Sequence, residues 1–269
     1  IEYVRIWIDS VNVSPNPTFI QIAEINLVSN EWKELGLAAH DTSLTALQKD
    51  DKRFRISVVN TEENPAAVAD PCNPGENSYE SPPGVIRERD RINQVLAKEQ
   101  SLVLDVDGLR SNEVAVAQKT FYQPLSFIHY NRLRMFIYGA DKASGLIRSD
   151  MDTSKIEFFI RLGADEKNYY EFREDVFCGW DARNEMDIDL GRITNFKRLR
   201  SDFEQVTENG MPVTDYYYIR ISGTRQQWRV RGNPSLTNIR TLVAGVRNRS
   251  ADPNAVFNGE IWMDELRVS

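Results

Sequence analysis

The stretch RLRMFIY, residues 132–138, decides the fold. Arg132 and Arg134 fall on one face, Leu133, Met135 and Ile137 on the other. A period of two is what a half-buried β-strand requires, because successive side chains point to opposite faces. Ile156–Leu162 repeats the pattern, with Glu157 and Arg161 on the presumed outer face. Working outward, Arg53–Asn60, Leu102–Val106, Val114–Thr120, Tyr169–Phe172 and Met186–Leu190 are further strand candidates. So are Tyr216–Ser222, Ile239–Val246 and Gly259–Val268. At the start of the chain, Ile1–Ile8 alternates cleanly, and Phe19–Val28 alternates with a phase change near Ala23 that reads as a bulge. Each run is short, rich in Val, Ile, Phe or Tyr, and bounded by Gly, Pro, Asn or Asp. The fold class is therefore all-β: a jelly-roll-like antiparallel β-sandwich with a few short helices. The helical candidates are Ile86–Gln100, Ile193–Val206 and a turn or two at Thr42–Asp50. None follows the βαβ rhythm of a parallel sheet.

Glu62–Gly84 holds five prolines and two glycines, an excursion too long for an ordinary turn. An internal repeat sets the expected organisation. Tyr3–Ile6 resembles Tyr218–Ile221, and Asn-Pro and an apolar run follow each. Residues 1–50 are expected to be the closing strands of a preceding sandwich repeat, 51–100 the Pro-rich excursion and a short helix, and 101–269 the main sandwich. The first residues lack the basic start and apolar run of a signal peptide, which reads as an excised or mature segment.

Length and composition narrow the functional classes. A chain of 269 residues buries a sizeable core without staples. A net charge of -7 disfavours nucleic acid, since phosphate binding wants a basic surface. Two histidines and two cysteines exclude a histidine-rich metal site or a zinc ribbon. There is no G-x-S-x-G, G-x-G-x-x-G, Walker loop or H-E-x-x-H. His40 and His129 stand in loop-like settings and read as structural. The spaced acids Asp187/Asp189 and Asp105/Asp107 read as solvated sheet faces. No catalytic residue is expected. No cofactor is expected either, a structural Ca²⁺ at Asp264 being the one option kept open. Cys72, in the excursion, and Cys178 are either a disulfide that pins the excursion or two buried thiols. Trp180 and Trp228 lie in polar surroundings and read as exposed. With Arg225, Arg229, Arg231 and Arg240 near Trp228, they form a candidate contact patch, suited to a protein partner or a glycan.

Several stretches together resemble the SprA/Sov family, giant outer-membrane translocon proteins of the Bacteroidetes type IX secretion and gliding-motility system. They are YVRIWI (Tyr3–Ile8), INLVSNEWKE (Ile25–Glu34), VVNTEENP (Val58–Pro65), SPPGVIRERDR (Ser81–Arg91) and EQSLVLDVDGL (Glu99–Leu109). RLRMFIYG (Arg132–Gly139), FIRLGADEKNYYEF (Phe159–Phe172), NEMDIDL (Asn184–Leu190), GNPSLTNIRTLVAGVRN (Gly232–Asn248) and GEIWMDELRV (Gly259–Val268) follow in the family's order. Asp264 departs from the asparagine associated with the family. The resemblance implies a non-enzymatic sandwich inserted in a large barrel that conducts folded cargo. Expected partners are other parts of the barrel, partner secretion subunits or secreted cargo, at the outer membrane of the cell envelope. The charged strand faces suit water better than lipid, where a midplane charge costs about 2–4 kcal/mol. The rival reading is a carbohydrate-binding module, and a glycoside hydrolase or lyase stands third.

Overall fold

The computed structural model describes residues 32–42, 47, 52–87, 89, 96–150, 152–196 and 203–269. The chain divides into two compact units, Ile1–Asn30 and Glu31–Ser269. The expected strands at Ile1–Ile8 and Phe19–Val28, the first copy of the repeat, and most of Thr42–Asp50 lie outside the described residues.

Thirteen strands are described: β1 (Trp32–Ala38), β2 (Phe54–Asn60), β3 (Gln100–Arg110), β4 (Val114–Leu125), β5 (Arg132–Asp141), β6 (Ile156–Asp165) and β7 (Asn168–Asp175), then β8 (Met186–Asp189), β9 (Glu204–Glu208), β10 (Met211–Arg220), β11 (Gln227–Arg231), β12 (Ile239–Asn248) and β13 (Val256–Val268). They form an eight-stranded sheet, β1-β4-β12-β6-β7-β11-β10-β9, and a five-stranded sheet, β2-β3-β13-β5-β8. Every paired ladder is antiparallel. Leu133, Met135 and Ile137 of β5 meet Phe158, Ile160 and Leu162 of β6 in one core between the sheets. That is the sandwich which period-two alternation demands, one apolar face per sheet turned inward.

Three elements differ from the sequence reading. Trp32–Ala38 pairs with β4 as an edge strand of the main sandwich, so the border falls before residue 32 rather than at 50. Of the helix expected over Ile86–Gln100, residues 88 and 90–95 lie outside the described residues; the described ones are not helical, and Arg89 and Leu96 face each other across an isolated antiparallel bridge. The helix at Ile193–Val206 is displaced: α1 spans Leu190–Phe196, and Glu204–Glu208 is strand. There the apolar spacing of Phe203 and Val206 belongs to the chain entering β9, not to a helix.

The outer faces are covered too. Tyr79 of the excursion packs with Val103, Tyr138, Ala140 and Trp262 outside the five-stranded sheet. Close packing at Gly139 ties the loop after β7 to β5: a Cβ there would lie 2.4 Å from the Phe177 carbonyl oxygen and 2.6 Å from Val176 Cγ1. Without a side chain, Gly139 and Gly179 exchange backbone hydrogen bonds at 3.3 and 2.9 Å.

Candidate functional site

The expected basic-aromatic patch does not form one surface, because alternation along β11 splits it. Trp228 and Val230 point into the core, Trp228 edge-on to Phe172 at 5.6 Å and only 2% exposed. Its polar neighbours in sequence misled, since they occupy the opposite face. Arg229, also buried, and the half-buried Arg231 point outward. Arg225 is exposed in the preceding turn and donates to the Asp152 carbonyl. Trp180 stands apart, half-buried against Tyr138 and Trp262 at centroid distances of 5.1 and 6.3 Å, and donates to the Glu80 carbonyl. Trp228 is therefore not open to a sugar face.

What replaces the patch is an ionic ladder on the outer face of the eight-stranded sheet. Register builds it. Arg161, Glu171 and Arg229 stand in one cross-strand row of β6, β7 and β11. Phe159 and Arg173 form the next row, and Arg247 and Glu157 the row beyond. The Arg161 Nε donates to Glu171; Arg173 donates to Glu171 and Glu157 at 2.5 and 2.8 Å. The Tyr216 hydroxyl donates to Glu171 at 3.0 Å. The expected solvated charges Glu157 and Arg161 lie on the predicted face but are 7% and 3% exposed. Asp41 crosses this face, its carboxylate bridged by Arg173, Arg229 and Arg247 at 2.6, 3.3 and 3.4 Å. Burial works to raise the Asp41 carboxyl, and Arg173, Arg229, Arg247 and Arg161 overcome it, holding it far below the carboxylate range. Glu171 meets the same balance and comes down to about 2. Asp41 and Glu171 went unnoticed in the sequence; the visible signal was charge at alternate positions of otherwise apolar strands.

Cys72 and Cys178 are joined, with Cα atoms 4.7 Å apart. The excursion has further anchors. The Asp141 amide donates to the Cys72 carbonyl at 2.6 Å, and the Tyr79 hydroxyl to Asp264 at 2.8 Å. Asp264 also accepts from Ser101 and from the Glu265 amide. One carboxylate oxygen each of Glu99, Asp264 and Glu265 lies within 4.8 Å of the others. Asp187 and Asp105 are spent on surface pairs with Arg132, Arg134, Arg55 and Lys142. His40 and His129 are exposed. Among the described residues the densest exposed apolar run is the β4–β5 corner: Tyr122, at 97%, with Leu125, Ile128 and Tyr130.

Among the described residues, burial drives Glu174 toward neutrality at physiological pH. It faces inward at the rim of the sandwich and accepts from Gln226 Nε2 at 3.0 Å. Burial lifts it to about 8, the Gln226 hydrogen bond opposing and the Asp175 charge assisting. A raised carboxyl means that the folded state holds a proton which the unfolded state releases above its own pKa of about 4.3. Its contribution is therefore present below that pKa and lost as pH rises toward 8. Glu174→Gln should match the parent at pH 5 and exceed it at pH 8 by on the order of a few kcal/mol in urea titrations. Parallel pH profiles of the two proteins would refute this role.

The model of a family described as "Motility related/secretion protein" (SprA_N) matches residues 1–269. No curated protein matches. A solved structure titled as the structural analysis of an exo-beta-agarase is similar at 11% identity and a TM-score of 0.43. The match covers 90% of this chain and 23% of that one.

Proposed function

Since the chain belongs to the SprA_N family of motility related/secretion proteins, we propose that it is a non-enzymatic structural and interaction module of an outer-membrane secretion apparatus. The family match along the whole chain carries this reading. The structure supports it in a specific way. The strongly perturbed groups have structural employment: Asp41 and Glu171 hold strands and strap together, Asp264 holds the excursion, and Glu174 is capped by Gln226. Structural ion-pair networks shift pKa values as reactive sites do, so these shifts call for no reactive centre. Corners and loops are then the surface offered to translocon components or cargo, positioned by a rigid sandwich.

The reading is tested in cells whose secretion depends on the protein carrying this chain. Tyr122→Ala together with Ile128→Ala removes exposed apolar surface without touching the core. Secreted proteins should accumulate inside the envelope while the variant keeps its parent level and melting temperature. Normal secretion with every described exposed apolar residue at that corner replaced, or turnover of a polysaccharide or peptide by the purified chain, would count against it.

A further inference from the structure

Asp41 and Thr42 are held in a way that ordinary loop residues are not. Five arginines from four strands grip them. Arg173, Arg229 and Arg247 bridge the Asp41 carboxylate. Arg161 donates to the Asp41 carbonyl and Arg231 to the Thr42 carbonyl, while the Thr42 hydroxyl donates to Glu208. Arg161, Arg173 and Arg229 are each buried by more than nine-tenths. Beneath the strap, Arg161, Arg173, Arg229 and Arg247 face two ladder carboxylates, Glu157 and Glu171. Without Asp41 the socket carries a net positive charge in a poorly hydrated place, where electrostatic forces are strong. Guanidinium forks match a carboxylate in shape and charge.

Asp41 and Thr42 are loop residues outside the strands of the sheet they rest on. They follow β1, a seven-residue edge strand whose register slips between Glu34 and Gly36. Among the described residues that strand pairs only with β4.

We propose that the arginine ladder is a carboxylate-binding site which the chain fills in cis with Asp41, and which takes a carboxylate from a small acid or a second polypeptide when Asp41 is withdrawn. Glu157 and Glu171 hold Arg161, Arg173, Arg229 and Arg247 by contacts that do not involve Asp41.

The test uses the full chain with Asp41→Ala. Its melting temperature should fall by roughly 10 °C, the consequence of leaving buried charges uncompensated in a protein of this size. Sodium acetate should then recover at least half of that loss, while sodium chloride at equal ionic strength should not, and neither should shift the parent. Adding Arg247→Gln, which thins the socket at a partly exposed edge, should weaken the acetate response several-fold. A peptide of residues 37–42 separates the two sources. Recovery by the peptide at lower concentration than acetate assigns the site to polypeptide carboxylates, and equal or poorer recovery assigns it to small acids. Should Asp41→Ala not fold, Asp41→Asn folding in acetate and not in chloride supports the proposal equally. An Asp41→Ala protein as stable as the parent, or one that answers acetate and chloride alike, overturns it.

Discussion

Glu171→Gln should lose about 3–5 kcal/mol of unfolding free energy, read as a lower urea midpoint at unchanged slope. The reasoning starts from where Glu171 sits. It is fully buried, and it receives Arg161, Arg173 and the Tyr216 hydroxyl, with Arg229 at 3.5 Å. A buried ion pair is a poor stabiliser against an apolar pair of equal volume, since desolvation offsets the attraction. Removing one partner is another matter, because the remaining charges stay buried and uncompensated. Glutamine keeps the size and one acceptor oxygen, so the loss measures charge rather than a cavity. The pH dependence gives a second handle. Glu171 is held at about 2 in the folded state, below its unfolded value. Its stabilisation is therefore present above an unfolded pKa of about 4.3 and lost as pH falls through the folded one. The gap between parent and variant should narrow steadily from pH 5 downward. A loss under about 1 kcal/mol at pH 7 would mean the arginines find other partners.

The architecture was legible because inward-facing residues alternate with little interruption. Each of the ten strand candidates within residues 53–268 lies wholly or mostly inside a strand, although β3, β7 and β10 run well beyond the stretches read for them, and RLRMFIY sits inside β5 with its charges outward as read. The strands that escaped are those whose alternation carries little apolar signal. Trp32–Ala38 breaks phase at its bulge, Glu204–Glu208 is an edge with one apolar residue, and Gln227–Arg231 looked like a basic loop. The ladder was half legible. Charges at every second position identified a polar face, but the same pattern describes a solvated face and a covered one. What distinguishes them is strand order, which places β6 and β7 in the middle of eight, and the passage of Asp41 across them. Both come from contacts far apart in sequence: Asp41 and Arg173 are separated by about half the length of the chain. Trp228 failed for the same reason, since side-chain direction within a strand outweighs the polarity of neighbours in sequence.

The second large effect belongs to the disulfide. Its cysteines are 106 residues apart, so the bond closes a loop running from the excursion past the end of β7. In the chain-entropy account a loop of that length removes enough freedom from the unfolded state for about 4–5 kcal/mol, and measured values for native bridges run about 2–5. Replacing both cysteines with serine should therefore lower unfolding free energy by about 2–5 kcal/mol. The double replacement avoids leaving a reactive thiol. In the folded state the damage should be local. Tyr79 still bonds Asp264, Glu80 still receives Trp180, and Asp141 still bonds the backbone at residue 72. Amide exchange should quicken within 62–84 and at 176–180, with the central strands β6 and β12 changing only as much as global stability dictates. Dithiothreitol acting on the parent should reproduce both results. If the serine protein kept its full stability, the excursion would be held by those polar anchors alone. If exchange instead rose uniformly through both sheets, the bond would serve the whole sandwich rather than the excursion.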